Sequence, residues 1–200
     1  MIQIVNYGLG NLGSVQNMLR RINVDSVIVT DPKEIISDKI ILPGVGSFDT
    51  GMTNLEKDGW IEVLNKKVHE DKVPTLGICL GMQLMCNSSE EGVLKGLGWI
   101  DGKVVKFPAG ELKIPHMGWN IVRPNINDSS ILGSDKDELR FYHVHSYYVK
   151  LADKNEQLGV TTYGIDFTSA FKHDNIYGVQ FHPEKSHKFG MMLLKNFDAL

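Results

Sequence analysis

The chain opens on short apolar runs that alternate with amphipathic ones. Residues 3–6 read as a strand, and residues 11–22 as a helix with Val15, Met18, Leu19 and Ile22 at offsets 0, 3, 4 and 7. Residues 26–30 form an apolar, β-branched strand closed by Asp31-Pro32, and residues 39–42 another, stopped by Pro43-Gly44. A second helix is predicted over residues 60–72, with Trp60, Val63, Leu64 and Val68 on one face. Residues 75–78 are a fourth strand, and residues 80–87 read as a helix leaving it.

The second half changes character. Residues 103–107, 142–149, 160–163, 169–173 and 176–180 read as strands, and residues 188–197 as a closing helix with Phe189, Met192, Leu193 and Phe197 inward. Strands alternating with helices predict an α/β fold with a largely parallel sheet covered on both faces. The later strands predict an antiparallel extension of that open mixed sheet. With no linker, repeat or low-complexity segment, residues 1–200 are expected to form a single domain.

Composition narrows the classes. Apolar residues make up 42 % and charged residues 22 %, as in an ordinary globular chain. The longest apolar stretches are strand-sized, so a membrane span is not expected, and the strand-like start of the chain is unlike a secretory signal. A net charge of −3, with no basic stripe beyond Lys66-Lys67, argues against nucleic-acid binding. Cys79 and Cys86, placed on one helix, would lie about 10 Å apart, too far for a disulfide. Two free thiols suit a reducing cytoplasm.

Ligands of such sheets bind outside the carboxyl ends of the strands. Three of those ends carry unusual residues: residues 7–13, residues 43–46 and Cys79. Gly77-Ile78-Cys79-Leu80-Gly81 has the strand–nucleophile–helix spacing of an elbow, with cysteine as nucleophile and glycines where the turn is crowded. The elbow places the thiol at a helix N-terminus and aims the Leu80 N–H beside the sulfur. His182-Pro183-Glu184 ends another strand; in extended chain, residues 182 and 184 face one side, giving a base with a carboxylate to orient it. The loop Leu42-Pro43-Gly44-Val45-Gly46 supplies backbone N–H groups, notably around Gly44 and Val45, which with Leu80 N–H can form an oxyanion hole. A peptide plane in so glycine-rich a loop can reorient at little steric cost.

These segments, together with Met82-Gln83 and the run from Gly178 to Ser186, resemble the class I, triad-type glutamine amidotransferases over essentially the whole chain. Residues 6–15, 114–120 and 143–147, and Val45 in the glycine loop, are similar to the glutaminase-subunit family of imidazole glycerol phosphate synthase. The resemblance implies a flavodoxin-like fold. It implies L-glutamine hydrolysis through a Cys79 thioester, with His182 as base and Glu184 as its orienter. It places Gly46, Gln83, His145, Ser146 and Tyr147 in the glutamine pocket, and with the glycine-rich loop it implies that residues 43–46 act as a switch that waits for the partner. It implies no cofactor and no metal, and a cytoplasmic heterodimer with a (β/α)8 barrel cyclase. That barrel would take the ammonia and make imidazole glycerol phosphate and AICAR. Asn11, Pro115, His116, Met117, Gly118, Trp119, Asn120 and Lys185 would face it. Two departures stand out: His143, where the family is expected to carry an aromatic or apolar residue, and the tail from Lys185 to Gly190. The tail resembles a paralogous branch that supplies ammonia to a sugar amidotransferase of surface-polysaccharide synthesis.

Two other readings explain less. Gly8-x-Gly10-x-x-Gly13 after a strand, with Asp31 ending the next, fits a dinucleotide fingerprint but leaves Cys79 and His-Pro-Glu unexplained. A zinc site from His143 and His145 with Cys79 or His182 lacks the usual ligand spacings.

Overall fold

The structure is a computed structural model that describes residues 1–108, 110, 112–125, 130–133 and 138–200. The elements run β1 (Ile2–Val5), α1 (Leu12–Arg21), β2 (Ser26–Val29), β3 (Lys39–Leu42), α2 (Phe48–Lys57), α3 (Trp60–Asn65), β4 (Thr75–Ile78) and α4 (Leu80–Leu84). There follow β5 (Ser88–Ser89), β6 (Gly102–Lys106), β7 (His116–Ile121), β8 (Arg123–Pro124), β9 (Arg140–His145) and β10 (Tyr147–Leu151). Finally come β11 (Gln157–Tyr163), β12 (Ile165–His173), β13 (Ile176–Val179) and α5 (His187–Asp198).

The main sheet has the order β2-β1-β3-β4-β13-β12-β10-β6-β5, with β11 and β8 branching from β12. From β2 to β13 every pair is parallel. Beyond β13 the pairs with β12, β10 and β6 are antiparallel. β7 and β9 form a separate antiparallel pair. Alternate residues of the parallel strands feed two cores. Ile2, Ile4, Ile41 and Ile78 pack with Val15 and Leu19 of α1 and Leu193 and Phe197 of α5. Val5, Ile40 and Leu42 pack on the other face with Phe48, Leu55, Trp60 and Leu64. Both faces of the sheet are therefore covered, as the near-continuous apolar strands require. Among the described residues, no helix is long and apolar enough to cross a membrane.

Several elements differ from their sequence reading. The predicted strand over residues 142–149 breaks at Ser146: β9 joins β7, and β10 joins the main sheet. The helix from Trp60 ends at Asn65 and continues as one wider π-turn, Lys66–Glu70. α2 was not read from the sequence. α4 stops at Leu84, because the carbonyls of Leu84, Met85 and Cys86 accept the N–H groups of Leu97, Trp99 and Gly98. Cys86 lies just past that helix; both cysteines are free and buried.

Candidate active site

Parallel pairing brings the carboxyl ends of β1, β3, β4 and β13 to one edge, and the candidate residues follow directly from those ends. Cys79 sits between β4 and α4 at φ 54°, a strained value for a residue with a side chain. The two glycines of the elbow are sterically enforced: a Cβ on Gly77 would stand 2.7 Å from Met82 N, and one on Gly81 only 1.8 Å from the Leu42 carbonyl oxygen. With only five residues, α4 gives the thiol less dipole support than the longer predicted helix would.

His182 follows β13 and is buried. Residues 182–184 are not an extended run, as the sequence suggested; Pro183–Lys185 forms a 3-10 turn, and that turn brings Glu184 Oε1 to 2.8 Å from His182 Nδ1. The second ring nitrogen, Nε2, is buried with no aligned partner among the described residues. Burial disfavours the imidazolium, but the Cys79 thiolate and then Glu184 outweigh it and raise His182 to about 10. Cys79 and Glu184 together therefore favour the protonated form of the His182 ring.

Cys79 and His182 open into a cavity of about 320 Å³ whose wall includes Val45, Gly46, Leu80, Gln83, Pro115, Val144, His145, Ser146 and Tyr147. All five residues expected from the sequence to surround glutamine are in that wall. A larger cleft of about 650 Å³, between residues 32–35 and 62–71, shares no residue with it and offers no thiol.

Three residues at the site had escaped the sequence reading. Gln180 is fully buried; its amide donates toward Cys79 Sγ at 3.7 Å and accepts from Gln83 at 3.0 Å, and Gln83 in turn reaches the Tyr147 carbonyl at 3.2 Å. Glu91 is the one carboxylate in the cavity wall among the described residues, and it accepts the N–H of Phe48. Tyr7 lies beneath the loop, its hydroxyl buried without a partner among the described residues and pushed up by burial and by Cys79. The position of Gln180 within the strand-to-histidine run was its only sequence signal; Tyr7 opened one of the three unusual strand ends, and Glu91 had no signal of its own.

The loop after β3 has a definite resting state. The Gly44 carbonyl accepts the Leu80 N–H at 3.3 Å, so that N–H is not free to meet a ligand. The remaining candidates lie on β7 and beside it. Met117 and Trp119 are 62 % and 48 % exposed, which leaves an apolar face open. Trp119 stacks on His187 at 5.5 Å, and the Lys185 ammonium lies 5.6 Å from the Tyr142 ring. Asn11 and Lys185 are exposed, while Gly118 and Asn120 are half-buried. His116, grouped by sequence with these exposed neighbours, instead turns inward and is buried; strand alternation sends it to the opposite face from Met117.

Comparison with known proteins identifies the family. The family model for the class-I glutamine amidotransferases matches residues 3–199. The chain is 58 % identical to imidazole glycerol phosphate synthase subunit HisH 2 of Methanococcus maripaludis, over 98 % of each chain. It is 47 % identical to subunit HisH of Bdellovibrio bacteriovorus and 48 % identical to subunit HisH 2 of Pseudomonas aeruginosa, over 100 % of each chain. Among solved structures, PurLQS from Thermotoga maritima superposes with a TM-score of 0.77 at 16 % identity, covering 99 % of this chain and 97 % of that one. A further glutamine amidotransferase superposes at 0.74 and 17 % identity, covering 98 % of this chain and 96 % of that one. The chain belongs to the class-I glutamine amidotransferases.

Proposed function

We propose that this chain is the glutaminase subunit of an imidazole glycerol phosphate synthase. The observation that carries this reading is the cavity in which Cys79, on a strained elbow, meets a His182 already held by Glu184. Cys79 Sγ attacks the side-chain carbonyl carbon of L-glutamine, and His182 takes the thiol proton and delivers it to the leaving nitrogen. The C–N bond breaks, ammonia departs and a glutamyl thioester remains. Water, deprotonated by the same imidazole, then releases glutamate. Leu80 N–H and the Val45 N–H, once turned inward, receive the developing oxyanion. Gln83, His145, Ser146 and Tyr147 surround the substrate, and the Glu91 carboxylate suits its α-ammonium group.

The open face of Met117, Gly118 and Trp119, with Pro115, Asn120, Asn11 and Lys185 near it, fits docking of a (β/α)8 cyclase. Exposed tryptophan on such a face is a typical binding anchor. Docking there closes the cavity, so that ammonia passes to the barrel without meeting water and becoming ammonium. We read residues 1–200 as one domain, since both cores share one sheet, and place the heterodimer in the cytoplasm, where two free thiols persist. The alternative acceptor, a sugar amidotransferase, shares the cavity and differs only in its partner. His187, stacked on Trp119, sits where such a difference would be expressed.

A chloroketone analogue of glutamine tests the chemistry. It is expected to label Cys79 alone and to abolish turnover; Cys79→Ala should be inactive, while Cys86→Ala keeps most activity. Labelling at Cys86 with Cys79 untouched would overturn the assignment. Turnover measured with a purified barrel cyclase and its nucleotide substrate distinguishes the two acceptors: strong stimulation supports the histidine-pathway partner, and none favours the alternative.

A further inference from the structure

His116 and His145 face each other across the β7–β9 pair, and His143 lies two residues back on the same face of β9. All three are buried, and their rings pack closely: centroids of His116 and His143 are 4.6 Å apart, and those of His116 and His145 are 5.0 Å apart. Phe107 and Phe167 wall the cluster.

The hydrogen bonding of this cluster is over-subscribed. His145 Nδ1 lies 2.8 Å from the Tyr147 carbonyl, so it carries the ring hydrogen and leaves Nε2 with the lone pair. Both His116 Nδ1, at 3.1 Å, and His143 Nδ1, at 3.3 Å, point at that single lone pair. His143 has no other polar partner among the described residues, since its Nε2 is buried and unpaired. Burial lowers His116 to about 4 and His145 to about 3, and holds His143 well below the usual histidine range. Three buried imidazoles thus converge between aromatic walls, with candidate donor atoms all within 4.8 Å of one another.

We propose that His116, His143 and His145 form a binding site for one divalent transition-metal ion of the Zn²⁺ class. Imidazoles bound at about 2.0–2.1 Å in tetrahedral geometry place their nitrogens roughly 3.3 Å apart, close to the separations of 3.1 and 3.3 Å seen here. The ion takes the His145 Nε2 lone pair that two N–H groups now contest, together with one lone pair each from His116 Nδ1 and His143 Nδ1, whose hydrogens move to Nε2, and a water completes the tetrahedron. Two of the three ligands have outer partners in place: the Tyr147 carbonyl orients His145, and the Asn120 carboxamide lies 3.1 Å from His116 Nε2, while His143 Nε2 has none among the described residues. When His116 ligates through Nδ1, its Nε2 carries the hydrogen, and Asn120 turns its oxygen to accept it. The Ile121 N–H and Thr162 carbonyl that Asn120 releases are in exposed bonds and pass to water. The donor set differs from the one considered from sequence: His116 takes the place given there to Cys79 or His182. The bound ion ties β7, which carries Trp119, to the strand that leads into the cavity wall at Ser146.

The test uses the full chain, stripped with a chelator and carrying Cys79→Ala so that the reactive thiol cannot compete. Zn²⁺ is titrated against a chromophoric chelator, and Co²⁺ is followed in the visible. One ion per chain, and the intense d–d bands of a tetrahedral nitrogen site without thiolate charge transfer, are expected. His143→Phe, which fits an aromatic surrounding, should weaken binding by at least about 100-fold. In a chain with Cys79 intact, the same substitution should leave the circular dichroism spectrum and basal glutamine turnover unchanged. Absence of stoichiometric binding, a weak octahedral Co²⁺ spectrum, or unchanged affinity in His143→Phe would each overturn the proposal.

Discussion

Val45→Gly is the sharpest test of the switch in the loop after β3. At rest the Gly44 carbonyl occupies the Leu80 N–H at 3.3 Å, so the group proposed to meet the oxyanion is already engaged. Freeing it means turning the Gly44–Val45 peptide over, which changes ψ of Gly44 and φ of Val45 together, as between the two common turn types. Only Asn23, Lys72, Cys79, Asp174 and His187 combine a side chain with positive φ among the described residues, so Val45 rests at negative φ and the turned peptide carries it to positive φ. For an L-residue that conformation costs about 1–2 kcal/mol, and giving up the Gly44–Leu80 bond costs about 1 kcal/mol more. Glycine removes the first cost and leaves the second. The Val45 side chain is 43 % exposed, so little packing is lost. An increase of 1–2 kcal/mol in favour of the turned state is roughly 5–30-fold in population. Glutamate release by the isolated Val45→Gly chain, followed with glutamate dehydrogenase, should therefore rise about 5–30-fold over the parent. Turnover in the partner-bound, acceptor-bound complex should change little, because there the peptide is already turned. An isolated parent chain as fast as the full complex would refute the reasoning, and so would a Val45→Gly chain with no gain.

Four further outcomes are expected. His182→Ala should cost nearly as much activity as loss of Cys79, and Glu184→Gln less, since it keeps the ring's hydrogen bond and only weakens the imidazolium; larger damage from Glu184→Gln would reverse the roles. Because His182 is raised in the folded state, its interaction contributes fully below about pH 6.5 and is lost as pH climbs toward 10, so the melting temperature of His182→Ala should converge on the parent's at high pH. Tyr7→Phe deletes a buried hydroxyl that has no partner among the described residues, relieving about 1–3 kcal/mol of desolvation, and thermal melts should show a gain; a clear loss would mean that the hydroxyl is satisfied. Trp119→Ala should leave basal glutamine turnover intact and blunt stimulation by the barrel, whereas unchanged stimulation would remove β7 from the docking face.

The shortfalls of sequence reading have particular causes. α2 carries apolar Phe48, Met52 and Leu55 at helical spacing, but Gly51, Thr50, Thr53 and Asn54 are weak helix formers. Packing decides: Gly51 lets Leu84 approach to where a Cβ would stand 3.0 Å away. The break at Ser146 is invisible locally, because both halves of residues 142–149 alternate as strand, and only sheet partners distinguish β9 from β10.

What the sequence determined by itself was local. Period and punctuation set the β–α alternation, and the elbow glycines marked Cys79 as the residue on a strained turn. The pairing of histidine with glutamate, two residues apart, needed only a turn to close. Tertiary structure alone decided which strand ends meet, because parallel register joins residues such as Val179 and Ile78 that are about a hundred positions apart. It also decided that His116 faces inward to meet His143 and His145, since strand pairing sets which side of β7 is buried. The occupied Leu80 N–H belongs to the same level: its partner, the Gly44 carbonyl, comes from a different strand end, and no local pattern encodes the orientation of that peptide.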